Sequence, residues 1–306
     1  MPEGDIVARV ARRLNEVTAG QVLTRGELRW PTLGDVDLTG ARVTEHASVG
    51  KHLLTRLEDG RTLRTHLRME GYWRIHETPA APSIRTGRRT PEPAASPDVR
   101  CVLATTRFTC VAHRLGMMDL VPTRREHELI GHLGPDLLDP ALDVPAAAAR
   151  ILAQGPRPIG EVLLDQRVVC GVGTIYLAET LWRLGIHPWT PAGSLGGRAG
   201  DVVATASALL ARSVAAPYPT ATGHPPPGTG ATDAPGAGTG TGTVPGRGGR
   251  PAPARGAPEG QPTYVHGHSG RACPRCGDAV VVRLIGPPAQ QRPAYFCPTC
   301  QPRPRA

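Results

Sequence analysis

Apolar residues at the start of the chain recur at helical spacing. Ile6, Val7, Val10 and Leu14 share one face of residues 5–19, Arg9, Arg12, Arg13 and Glu16 lie opposite, and Gly20 suits the end. The period then changes. "HLLTRLEDGRTLRTHL" alternates as a strand pair turning at Asp59-Gly60, and "VRCVLATTRFTCVAH" predicts a second pair. The polar, Pro-rich residues 77–98 form a loop between them. The first half therefore reads as a β-rich domain with a helix laid across it. Helical spacing returns near residue 126 and continues through residues 145–153, 159–169, 175–185 and 201–215. Residues 217–262 are Gly, Pro, Thr and Ala with scattered Arg; almost nothing there can be buried, which predicts a disordered linker. Order is expected again at Tyr264.

Composition narrows the partner. The 306 residues suffice for two or three modest domains. No apolar run approaches the length of a membrane span, and the acidic, then amphipathic start is not a secretory signal, so the expected location is cytoplasmic. A net charge of +9 and a pI of about 9.7 point to a polyanionic partner, most simply nucleic acid. Of 35 basic residues, 34 are Arg and only Lys51 is lysine. An ammonium can lose a proton or act as a compact charge, whereas a guanidinium stays charged, so Lys51 is a candidate for chemistry.

The strongest local signal is a cysteine framework. Cys273 and Cys276 form one C-x2-C knuckle and Cys297 and Cys300 another, with 20 residues between them. Four thiolates at this spacing build a closed tetrahedral zinc site, a zinc ribbon. Two disulfides are disfavoured in a cytosolic chain. "AVVVRLIG" and "RPAYF" are the expected hairpin strands, and a closed site makes the metal structural. Arg292, near the hairpin turn, is either a phosphate contact or an ordinary exposed Arg. Cys101, Cys110 and Cys170 sit in apolar stretches and read as small buried hydrophobes. Gly171-Val172-Gly173 precedes a helix starting near Thr174, where backbone N–H groups can approach a phosphate. Pro2 has two readings. It can begin the first helix, with Glu3 and Asp5 complementing the dipole. With Met1 removed, it can also present a secondary amine as nucleophile.

Taken in order, "MPEGD", "GKHLL", "HLRMEG", "GPDLL", "LLDQRVVCGVGTIY", "YVHGHSGRAC" and "FCPTCQ" resemble the formamidopyrimidine-DNA glycosylase/endonuclease VIII family, most closely its bacterial endonuclease VIII branch. The resemblance implies an α+β multidomain fold. Its parts would be an N-terminal helix-capped β-sandwich (1–125), a helix–two-turn–helix domain (126–216), the linker (217–262) and a zinc finger (263–306). It implies one structural Zn2+ and a monomer that binds damaged double-stranded DNA in the cleft between domains. It also implies excision of oxidised bases, pyrimidines by branch, followed by cleavage of the abasic strand. By the same resemblance Pro2 is the Schiff-base nucleophile and Glu3 the proton donor, which requires a raised pKa that burial can supply. Lys51 assists proton transfer in β-elimination, and Arg292 assists δ-elimination and grips phosphate. Arg68, Met69 and Glu70 occupy the void-filling loop, with Met69 as the wedge or, alternatively, an ordinary core residue. Gly171, Gly173 and Thr174 form the phosphate-binding turn.

The chain departs from the family pattern in places. Thr174 stands where Asn is usual and His268 where Arg is usual. Gln291 replaces the Gly before the zinc-finger arginine, and the linker is long. Thr donates one hydrogen bond and cannot reproduce a carboxamide. These departures keep open a rival reading, a non-catalytic or lyase-only DNA-binding protein of the same fold.

Overall fold

The computed structural model describes residues 2–78, 94–223 and 262–303. The chain divides into two compact units. The first is Met1–Asp143 with Asp165–Gly173; the second is Val144–Leu164 with Thr174–Ala306. No helix among the described residues is long and apolar enough to cross a membrane.

The first unit opens with helix α1 (Gly4–Thr18). Eight strands follow: β1 (Arg25–Leu28), β2 (Val43–Val49), β3 (His52–Leu57), β4 (Arg61–His66), β5 (Tyr72–Glu77), β6 (Val99–Ala104), β7 (Phe108–His113) and β8 (Met117–Pro122). The short helix α2 (Glu126–Ile130) comes after them. The strands form two antiparallel four-stranded sheets, ordered β1-β6-β7-β5 and β2-β3-β4-β8. Both predicted strand pairs are present. In the first, His52 lies opposite His66, and Gly60 takes φ +80° in the turn. The sheets share one core: Leu53 and Leu63 from one and Leu103, Cys110 and Ala112 from the other, with Val7 and Leu14 of α1 packed in. Cys101, Cys110 and Cys170 are all buried, as expected of small hydrophobes.

A polar clasp fixes α1 to β2. Asn15 is the sole asparagine of the chain. Its side chain donates to His46 O at 2.6 Å and accepts from His46 N at 2.7 Å, so it pairs with the strand as a neighbouring strand would. Thr18 donates its hydroxyl proton to Leu14 O. Its oxygen is then free to accept from His46 Nε2 at 2.8 Å, which leaves Nδ1 to accept from Thr55 at 2.9 Å. The imidazole is thus neutral with both nitrogens satisfied.

The second unit contains α3 (Val144–Leu152), α4 (Ile159–Leu164), α5 (Thr174–Leu184), α6 (Arg198–Ala215) and the hairpin β9 (Val281–Ile285) with β10 (Arg292–Phe296). α6 packs against α3 and α5, and α5 packs against β10.

Two expectations are corrected. The helix expected over 159–169 stops at Leu164. Beyond it the chain turns: Val168 N donates to Asp165 O, and the Gln166 side chain bridges Gly171 N and Val172 O. Val168, Val169, Cys170 and Val172 are buried in this turn, so their apolar character reflects a buried loop. In the stretch expected to bury almost nothing, Thr220, Ala221 and Thr222 are buried, and Ala221 N donates to Pro262 O at 2.8 Å. Residues 224–261, most of the expected linker, lie outside the described residues, as do residues 79–93 of the predicted loop. The second correction concerns Pro2, which does not begin α1. Glu3 is the N-cap and Gly4 the first helical residue.

His46 makes stability depend on pH. Burial lowers its pKa from 6.5 to about 4. The unfolded chain takes up this proton first, so the contribution is complete above pH 6.5 and is lost as pH falls toward 4. The loss should reach roughly 3 kcal/mol. The urea midpoint should fall steadily over this window, and His46→Gln should flatten the slope.

Candidate active site

Three glycine-bearing segments converge at the start of α1, all within the first unit. Gly4 N donates to Gly171 O at 2.9 Å. A Cβ on Gly4 would lie 2.9 Å from Gly171 Cα and 3.2 Å from Gly50 O, so only hydrogen fits. Gly50 has φ +56°, and its Cβ would press on Cys170 Sγ at 2.9 Å. Backbone meets backbone here because nothing bulkier can be accommodated.

Glu3 sits inside this junction with 1% of its surface exposed. Its carboxylate forms no capping bond to its own helix. Instead Oε2 accepts from Gly173 N at 2.7 Å. Pro2, the preceding residue, is half-buried. Lys51, directly after Gly50, is buried. Its charge is close enough to disfavour protonation of His66 and to favour the Cys170 thiolate. The structure thus brings together Glu3, Gly4, Gly50, Gly171 and Gly173, with Pro2 and Lys51 flanking the junction as chain neighbours of Glu3 and Gly50.

Two residues that hold this junction escape a reading of sequence alone. Asp136, from "GPDLL", accepts from Gly50 N at 2.8 Å and Leu138 N at 2.9 Å. Burial raises its pKa while the two N–H bonds oppose the rise. Gln166 accepts from Gly171 N at 3.1 Å and donates to Val172 O at 3.0 Å, closing the turn that presents Gly173. The signal for both was a short polar residue inside an apolar run, which a buried turn requires for its backbone.

The loop between β4 and β5 carries Arg68, Met69 and Glu70. Met69 is 66% exposed, so core packing is excluded. Glu70 lies 3.6 Å from Arg114.

In the second unit, Thr174 is the first residue of α5 and is buried, with its hydroxyl 3.4 Å from His266 Nε2. Glu179, five residues further along α5, is fully buried and accepts from Tyr264 N at 2.8 Å and from Val265 N and His266 N at 2.9 Å. Burial raises its pKa, and the three N–H groups oppose this. This carboxylate was missed in the sequence; it ties the "YVHG" segment to α5. His268, in the place of an Arg, rests its ring against Tyr264 O at 3.0 Å. Arg292 is exposed at the start of β10, away from the four cysteines at the hairpin's base.

The four cysteines form a cluster that could hold a metal ion. Their sulfurs all lie within 4.8 Å of one another, with Cys273–Cys300 at 3.8 Å and Cys276–Cys297 at 3.4 Å. A disulfide requires about 2.05 Å, while thiolates about 2.3 Å from a tetrahedral ion lie roughly 3.8 Å apart. The sulfurs therefore fit a metal ion and not a pair of disulfides. Trp182 Nε1 donates to Cys273 Sγ at 3.3 Å, and Arg275 lies over the same indole at 4.4 Å. Burial pushes the Cys273 thiol up, but the N–H groups of Arg275 and Cys276, then Trp182, bring it down to about 7. Burial and the neighbouring thiols hold Cys297 and Cys300 high, a repulsion that a bound cation relieves.

Comparison with known proteins decides the family. The formamidopyrimidine-DNA glycosylase N-terminal domain matches residues 1–115, and the H2TH domain of the same glycosylase matches residues 133–221. The chain belongs to the formamidopyrimidine-DNA glycosylase family. Among its relatives is a probable endonuclease 8 2 of Streptomyces coelicolor, 38% identical over 100% of this chain and 96% of that protein. Another is the DNA-(apurinic or apyrimidinic site) lyase Nei2 of Mycolicibacterium smegmatis, 31% identical over 98% of this chain and 99% of that protein. The fold matches that of Lactococcus lactis Fpg (MutM), solved in complex with DNA containing N7-benzyl-Fapy-dG. The TM-score is 0.69 with 21% identity, over 99% of this chain and all of that one. This glycosylase-family chain thus has the expected helix-capped β-sandwich, helical H2TH region and four-cysteine finger.

Two glycines should respond differently to alanine. At Gly4 the new methyl meets backbone, so Gly4→Ala should lower urea-unfolding stability by about 1–3 kcal/mol. At Gly173 it would lie 2.5 Å from Glu3 Cδ, a movable group. Gly173→Ala should displace the carboxylate, visible in a crystal structure of the variant, and lose stability through the stranded Gly173 N–H rather than through a backbone clash. Chelation of the metal, followed by near-ultraviolet circular dichroism, should unfold the finger, and Cys276→Ala should lose one equivalent of bound metal.

Proposed function

We infer that this chain is a base-excision repair enzyme that removes oxidised bases, pyrimidines such as thymine glycol among them, from double-stranded DNA and then cleaves the abasic strand. The observation that carries this reading is the convergence of Pro2, buried Glu3 and Lys51 at one glycine junction.

The proposed sequence begins after removal of Met1, when Pro2 carries a free secondary amine. Such an α-amino group titrates at about 7.7–8.0, so a useful fraction is neutral at working pH. The target base is first turned out of the stack, and Met69, exposed on its loop, fills the space. The Pro2 nitrogen attacks C1′, and the base departs with the electrons of the glycosidic bond and takes up the proton that the nitrogen gives up. Glu3 delivers a proton to the ring oxygen as the sugar opens, leaving an iminium between Pro2 and C1′. The iminium acidifies C2′; loss of that proton, assisted by Lys51, expels the 3′-phosphate. A second elimination, assisted by Arg292, expels the 5′-phosphate.

Gly171, Gly173 and Thr174, with Arg68 and Glu70, are proposed to hold the DNA. The hydroxyl of Thr174 and the adjacent His266 supply donors where a carboxamide is usual. The four cysteines hold Zn2+ as a closed, structural site whose ion supplies folding energy to a finger too small for its own core. The proposed organisation is a β-sandwich domain of residues 1–125, a helical domain of 126–216, a linker of 217–262 and a finger of 263–306.

Borohydride should trap protein whose mass begins at Pro2 on abasic duplex DNA, and protein retaining Met1 should not be trapped. Absence of trapping with the processed chain would sink the enzyme reading. Base release and strand cleavage should be followed separately on single-lesion duplexes, since cleavage without release reduces the activity to a lyase. DNA affinity should fall log-linearly with salt.

A further inference from the structure

Among the described residues, only two that are not glycine take a left-handed backbone, Arg68 at φ +54° and Arg114 at φ +48°. They lie in the two neighbouring loops of the first unit, β4–β5 and β7–β8. An arginine in this region is strained by roughly 1–2 kcal/mol, and such a conformation persists only where neighbours impose it. The structure shows what imposes it at Arg68. The Arg68 N–H donates to His66 Nδ1 at 2.9 Å. The Arg68 side chain lies over Gly116, where any Cβ would overlap it. Gly116 N in turn donates to His66 O at 3.0 Å, and Gly71 N closes the loop onto Leu67 O at 2.9 Å. His66 therefore grips both loops, one through its ring and one through its carbonyl. Arg114 is held from its own side by Asp98, through Arg114 N to Asp98 O and Arg114 Nε to Asp98 Oδ2, both at 2.8 Å.

We propose that His66 is a positioning residue that acts through its Nδ1 lone pair to hold Arg68 left-handed and so aim Met69 outward. This rests on the reading of Met69 as the residue that fills the emptied stack. The role requires a neutral ring with its proton on Nε2. The surroundings enforce neutrality. The groups that face the ring are Lys51, Arg64 and Arg68, all cationic, and His52, whose ring meets it edge-on at 4.9 Å. Burial first, then these three cations, lowers the His66 pKa to about 4. A histidine at 66 is thus a fixed acceptor at neutral pH.

The geometry supplies a discriminating substitution. In asparagine, Oδ1 stands where His66 has Nδ1, so His66→Asn keeps an acceptor for Arg68 N–H. In glutamine the terminal amide reaches the Nε2 position, so His66→Gln keeps that side and loses the acceptor. His66→Leu loses both. The readout is the single-turnover cleavage rate on an abasic duplex divided by that on the same abasic strand alone, which has no stack to fill. The ratio is insensitive to the folded fraction of each variant. A duplex with 2-aminopurine opposite an abasic analogue reports insertion directly. His66→Gln and His66→Leu should lower the ratio about fivefold, the worth of one backbone hydrogen bond, and His66→Asn should keep it within about twofold of the original. If glutamine preserves the ratio and asparagine does not, the Nε2 face matters and the inference is wrong. It is equally wrong if all three variants match the original, or if all three fall together. Should the leucine variant not fold, the asparagine–glutamine contrast decides alone. Met69→Ala separates the underlying reading: a lowered ratio there with unchanged His66 variants removes only this inference, while an unchanged ratio in Met69→Ala removes both.

Discussion

A carboxylate buried at the N-cap of α1 must be met by a donor, and the donor here is a backbone N–H 170 residues away. Much of the first unit follows from satisfying that one bond. Gly173 can approach Glu3 only without a side chain. Gly4 and Gly50 are bare because the turn that carries Gly173 passes within van der Waals contact of both. That turn is held in shape by Gln166, and Asp136 anchors the Gly50 end. A buried acid is costly to misplace, because moving it strands both the carboxylate and the Gly173 N–H away from water. The segment Asp165–Gly173 belongs with the first compact unit for this reason, although helices on either side belong to the second.

The second unit uses the same device with the polarity of the elements exchanged. There the carboxylate, Glu179, sits in a helix and collects three N–H groups from an irregular segment. Backbone donors that neither sheet nor helix could pair are satisfied, and "YVHG" is fixed without regular structure of its own. Trp182, one turn further along α5, stacks on Tyr264 and donates to Cys273. One helix thereby organises both the segment leading to the finger and the outer shell of its metal site, where hydrogen bonds to the ligating sulfur stabilise the thiolate.

The exposed part of the proposed site rests on strain held locally. Met69 cannot stabilise its own loop, since its side chain buries little. The loop's conformation comes instead from the residues beneath it, through His66, Gly116 and the left-handed Arg68. Rigid support under a solvent-facing hydrophobe gives a side chain that is presented to a partner at little ordering cost.

The helix spacing of α1, the two hairpins and the cysteine knuckles were legible in the sequence because each is a local pattern: period, turn chemistry or ligand spacing. Pro2, Glu3, Lys51, Gly171 and Gly173 were legible as motifs, but their meeting was not. The end of the helix at Leu164 was misread for the same reason, since buried loop valines and helix valines look alike in a window of sequence. Glu179 and the acceptor role of His66 had no local signature, and the polar residues Asp136 and Gln166 inside apolar runs did not say which backbone groups they would meet. By itself the sequence determined most of the elements, the four-cysteine framework and the family. Only the tertiary structure decided which glycines had to be bare and which acids and imidazoles had to be met, because those depend on backbone groups brought into contact from distant parts of the chain.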